Sequence, residues 1–138
     1  VTQLDSLSEI AIFDVMMVRR LMDIEPLVAS DKSLIKEILH PDKFAVDIRY
    51  SMAYASVKPH QMTKPHRLEY TEVYHIVKGQ GQIHINNEAK NVTETDTIYI
   101  PPGAIQFIEN TGQTDLEFLC IVDPAWKPDI ETVADDKQ

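Results

Sequence analysis

Apolar and polar positions alternate through much of this chain, and turn-forming residues interrupt the alternation at short intervals. Residues 72–78 (EVYHIVK) are rich in β-branched and aromatic side chains, and residues 82–86 (QIHIN) alternate strictly. With Gly79-Gln80-Gly81 between them, this pair predicts a β-hairpin. Residues 97–100 (TIYI) predict a strand ended by Pro101-Pro102-Gly103. Residues 105–109 predict another, stopped by Asn110-Thr111-Gly112, and residues 116–122 (LEFLCIV) a last one. Asn86-Asn87-Glu88 is a further turn signal. Upstream, Val46, Ile48 and Tyr50 alternate with charged or small residues and predict strand within 44–58. Residues 33–40 (SLIKEILH) fit strand or helix equally. Pro59 and Pro65 bracket a loop, since proline cannot donate to a sheet ladder. Many short strands at even spacing predict an all-β sandwich or barrel.

The ends read differently. Leu4, Leu7, Ile10 and Ala11 recur at helical spacing, so residues 1–17 predict a short helical or irregular extension. The barrel domain is expected over 18–127, followed by an acidic C-terminal tail, 128–138, that frays. A length of 138 residues suits one domain, and 43% apolar content suffices for its core.

The net charge of −9 excludes the basic footprint of a nucleic-acid binder and argues against docking on anionic membranes. Cys120 is the sole cysteine, so no intrachain disulfide can form, which fits a reducing compartment. The apolar run at 10–18 contains Asp14 and follows no basic residues, unlike a signal peptide or a spanning helix. These features predict a soluble cytoplasmic protein.

Two spaced motifs carry the candidate chemistry. His60 is followed after five residues by His66-x-Leu68, then three residues on by Glu72, and six residues on by Gly79. Fifteen residues later, Thr95 is followed by five residues, Pro101-x-Gly103, two residues, Gln106, three residues and Asn110. In spacing, the chain over roughly residues 45–122 resembles the cupin family. Its first motif is Gly-x5-His-x-His-x3–4-Glu-x6-Gly and its second is Gly-x5-Pro-x-Gly-x2-His-x3-Asn. The resemblance implies a jelly-roll barrel formed by two sheets. It also implies a homodimer built through N-terminal strands and outer sheet faces, as in many small members.

In metal-binding members the two histidines and the glutamate of the first motif, with the histidine of the second, hold a divalent transition metal such as Zn, Mn, Fe or Ni. Two of the four positions match here, His66 and Glu72. Leu68 cannot coordinate, and Gln106 offers an amide oxygen in place of imidazole. His60 stands where the family has glycine. It is either a solvated loop residue or, if its loop folds inward, a compensating ligand beside His66, Glu72 and Gln106. Without metal, His66 and Glu72 form a candidate catalytic acid/base pair. Alternation places Tyr74 on the same face as Glu72, so Tyr74, Gln106 and Arg67 are candidate ligand-binding residues in an otherwise apolar pocket. His75 and His84 are expected on outer faces, Cys120 in the core, and Trp126 over one end of the barrel.

Two functions follow. One is a metal-dependent, isomerase-like cupin enzyme acting on a small molecule such as a sugar phosphate; the resemblance extends to mannose-6-phosphate isomerase-like members. The alternative is a non-catalytic module that binds a sugar or carboxylate in a degenerate metal site. A structural dimer with a vestigial pocket is the blandest reading.

Overall fold

The structure, a computed structural model, describes residues 16–134. The helical spacing noted among residues 4–11 lies outside the described residues. Eleven strands form two antiparallel sheets among them. The first sheet has the order β1 (Leu27–Val28), β2 (Leu34–Leu39), β3 (Ser51–Val57), β10 (Leu116–Asp123), β5 (Thr71–Lys78), β8 (Thr97–Ile100). The second has the order β11 (Glu131–Val133), β4 (His66–Leu68), β9 (Gln106–Asn110), β6 (Gln80–Ile85), β7 (Glu88–Thr93). This is the all-β jelly roll that the motif spacing implied.

The period-two pattern does what it predicts. On β10, Leu116, Phe118, Cys120 and Val122 are buried while the residues between them are partly exposed. On β5 the buried set is Glu72, Tyr74 and Ile76. Tyr74, Ile76, Leu116, Phe118 and Cys120 meet Ile83, Val92 and Ile108 of the second sheet in one core, while Val122 packs with Leu68 and Ile130 in a second cluster. His75 and His84 fall on the outer faces. His75 Nδ1 lies 2.8 Å from Thr97 Oγ1, and His84 stacks on Phe107 with centroids 4.1 Å apart.

Three expectations are corrected. The segments 72–78 and 82–86 do not pair as a hairpin: β5 pairs with β10 and β8, whereas β6 pairs with β7 and β9. Gly79, at φ 90°, carries the chain from one sheet to the other. A Cβ at Gly81 would sit 2.5 Å from the Glu109 carbonyl oxygen, so β6 and β9 approach each other there only over a bare backbone. Second, the alternation at Val46, Ile48 and Tyr50 belongs to an irregular arm. Strand β3 begins only at Ser51, since among the described residues no strand pairs with the arm in a ladder. Third, residues 128–134, the described part of the tail expected over 128–138, belong to the fold. A short 3-10 helix, Pro128–Ile130, buries Ile130 beside Leu68 and Val122, and β11 then pairs with β4. Burying one isoleucine and adding three ladder positions outweigh the local acidity. The ambiguous segment 33–40 resolves as strand β2, pairing with β3.

Two motif positions that are glycine in the family hold other residues here while keeping a glycine-like backbone. His60 has φ 64° and Thr95 φ 73°. The left-handed conformation is retained, and each residue carries its steric cost.

Candidate functional site

The inward faces of the two sheets enclose a cavity of about 310 Å³. Strand β5 of the first sheet delivers Glu72 and Tyr74. From the second sheet, β4 delivers His66 and β9 delivers Gln106, directly opposite each other in the ladder. Four of the six expected site residues are thereby brought together: His66, Glu72, Tyr74 and Gln106. All are buried, with His66 at 5% exposure and Gln106 at 1%.

Their polar atoms form a chain across the barrel. The Tyr74 hydroxyl donates to Gln106 Oε1 at 3.0 Å, and Gln106 Nε2 donates to Glu72 Oε1 at 3.0 Å. Both ends of the Gln106 amide are therefore used. Burial pushes the Glu72 carboxyl up to about 8. The Gln106 bond opposes this shift, and the nearby carboxylates Asp31 and Glu131 add to it. Burial thus favours the neutral form of Glu72. Burial also raises the Tyr74 hydroxyl and Cys120 thiol well above their ordinary values, so both stay protonated.

His66 is oriented by its backbone neighbour. Its Nδ1 lies 2.8 Å from the Lys64 carbonyl oxygen, which can only accept, so Nδ1 carries the proton. Nε2 then faces Asp31 Oδ2 at 3.8 Å, beyond hydrogen-bonding distance.

Two expected site residues stay outside this group. Arg67 is exposed between buried His66 and Leu68, as strand alternation requires. His60 is exposed, and its backbone N–H donates to the Asn110 carbonyl, at the opposite end of β9 from Gln106. The alternative in which its loop folds inward is not what the chain adopts.

Two residues that sequence reasoning missed also line the cavity. Asp31 sits in the turn between β1 and β2, where Oδ1 accepts from the Ser33 N–H at 3.0 Å and hydroxyl at 2.6 Å. The Asp-x-Ser pattern signals such a turn, but nothing local says that Asp31 Oδ2 turns toward His66. Glu131, on β11, accepts from Ser30 at 2.5 Å and closes the same region. Cys120, expected in the core, lines the cavity opposite Tyr74.

The donor set does not fit the family's metal centre. Leu68 fills one ligand position with an apolar side chain, and the Gln106 amide is committed at both ends. Among the described residues, no three His, Cys, Asp or Glu side chains are grouped to hold a metal ion.

The fold and both motifs together define a cupin, and the cupin domain family matches residues 53–122 of this chain, which belongs to it. An uncharacterised protein of Methanocaldococcus jannaschii is 38% identical over 105 residues, spanning 75% of this chain and 82% of that one. An oxalate-binding protein of Thermotoga maritima is 39% identical over 51 residues, covering 37% of this chain and 42% of its own. Among solved structures, a predicted oxalate decarboxylase of Thermotoga maritima superposes with TM-score 0.70 at 27% identity, covering 78% of this chain and 99% of its own. Bacillus subtilis oxalate decarboxylase, at 21% identity and TM-score 0.70, with 83% of this chain and 31% of its own covered, shares the fold. No helix among the described residues is long and apolar enough to cross a membrane.

Proposed function

We propose that this cupin binds a small polar molecule in the barrel cavity without a resident transition metal. The observation that carries the reading is the closed chain Tyr74–Gln106–Glu72, which uses the second-motif position to hold the barrel's own polar groups. A cavity of about 310 Å³ with a few convergent polar groups in an apolar wall is the ordinary form of a small-molecule site. Kinship with an oxalate-binding protein supports a small-molecule occupant as well. His66 Nε2 and Asp31 Oδ2 are among the polar atoms offered to that occupant, while Tyr74 and Glu72 line the cavity with Gln106 joining them from behind.

Elemental analysis of tag-free protein, beside a His66→Ala control, tests this reading. Less than about a tenth of an equivalent of any transition metal is expected in both proteins, since the competing ligand set would need at least three donors. Near-stoichiometric metal that disappears in His66→Ala would overturn the proposal and restore a metalloenzyme.

A further inference from the structure

The cavity wall is acidic. Asp31, Glu37 and Glu131 line it beside Glu72, which burial holds toward its neutral form, and among the described residues the lining cation, Lys43, is held by Glu37 at 2.8 Å. Asp31 satisfies one carboxylate oxygen with Ser33 and turns the other toward His66 Nε2. With Nδ1 against the Lys64 carbonyl, Nε2 is the ring nitrogen turned toward the cavity, where it faces Asp31 Oδ2 at 3.8 Å. His66 is 5% exposed and Asp31 8%, and both residues line the cavity, so what surface they keep is offered to its occupant. What the gap lacks is a group with at least two N–H or O–H donors and, beside a carboxylate, a positive charge.

We propose that the cavity selects a small alkylammonium ligand, its –NH3+ group placed between Asp31 Oδ2 and His66 Nε2 and its hydrocarbon part against the apolar wall. This inference rests on the small-molecule reading above and names the class of ligand. Leu68, Ala53, Ala55 and Val122 supply apolar surface, and the aromatic residues Tyr74, Phe118 and Trp126 line the same space. The overall charge of −9 draws cations toward the protein. A dicarboxylate entering the same space would meet Asp31 and Glu131, with the lining lysine already engaged by Glu37.

The test is an amide NMR titration of the full chain at pH 7 with three probes: n-butylammonium, oxalate and glucose. Butylammonium is expected to move the amide signals of Ala53, Tyr74 and Cys120 and to saturate, while oxalate leaves them in place. Asp31→Asn keeps an acceptor for Ser33 but removes the charge, and should weaken butylammonium binding by about tenfold or more. The wild-type comparison of the three probes decides the charge question even without the variant. Movement of the same signals by oxalate or glucose, with butylammonium inert, would overturn the charge assignment and leave the small-molecule reading standing. Butylammonium binding unchanged in Asp31→Asn would overturn the assigned anchor. Silence from all three probes would overturn both readings.

Discussion

Replacing Glu72 by glutamine removes one ionisable group from the floor of the cavity and should reshape the dependence of stability on pH. In the folded protein this carboxyl titrates at about 8, against an ordinary value of 4.5. Between those values the folded state keeps a proton that the unfolded chain releases. The unfolded state then binds fewer protons, and stability must fall as pH rises through that window. At about 1.4 kcal/mol per pH unit, the full loss approaches roughly 4–5 kcal/mol above pH 8, an upper bound for a domain whose total stability is of order 5–15 kcal/mol. The amide introduced by Glu72→Gln would keep an acceptor for Gln106 Nε2 and would not ionise. Urea unfolding of both proteins at intervals from pH 4 to 8.5 measures the difference directly, since all other titrations cancel. The two should be nearly equal near pH 4, and the variant should gain steadily until about pH 8. A difference that stays flat, or one in which the wild type gains with pH, would refute the reasoning. It would mean that Glu72 is held as a carboxylate by a cation or by donors beyond Gln106 and Tyr74.

Three further outcomes follow from the packing. Gly81→Ala places a Cβ against the Glu109 carbonyl and Leu116 Cδ2, at 2.5 and 2.8 Å, and should cost about 2–3 kcal/mol in urea unfolding; a cost under about 0.5 kcal/mol would show that β6 and β9 can separate there. His60→Gly relieves a left-handed residue and should raise stability by about 1 kcal/mol while leaving ligand binding intact; lost binding would return His60 to the site. Ile130→Ala should destabilise by about 2–4 kcal/mol, detectable as a fall in Tm; no change would mean that β11 is a dispensable tail.

Much of the fold was legible because strand alternation and turn chemistry are local. Glu72, Tyr74 and Ile76 share a face by the period of two alone, and Pro101, Gly103 and Asn110 fall where turns are needed. The spacing of His66, Glu72 and Gln106 likewise points to the barrel interior. Arg67 obeys the same local rule: with His66 buried on β4, alternation turns Arg67 outward, away from the site.

Other features depended on partners distant in sequence. Whether β5 and β6 pair or part cannot be read from their own residues, because the ladders of β10, β8, β7 and β9 compete for the same edges. The acidic stretch after Pro128 looks like a tail until Leu68 and Val122 offer Ile130 a place to bury. Asp31 and Glu131, far apart in the chain, become neighbours of His66 only when β1, β2 and β11 close over the barrel. The sequence by itself determined a two-sheet barrel with an altered metal motif, since both rest on periodicity and spacing. Only the tertiary structure decided the charge of the cavity, because that charge is a sum over side chains that folding alone brings together.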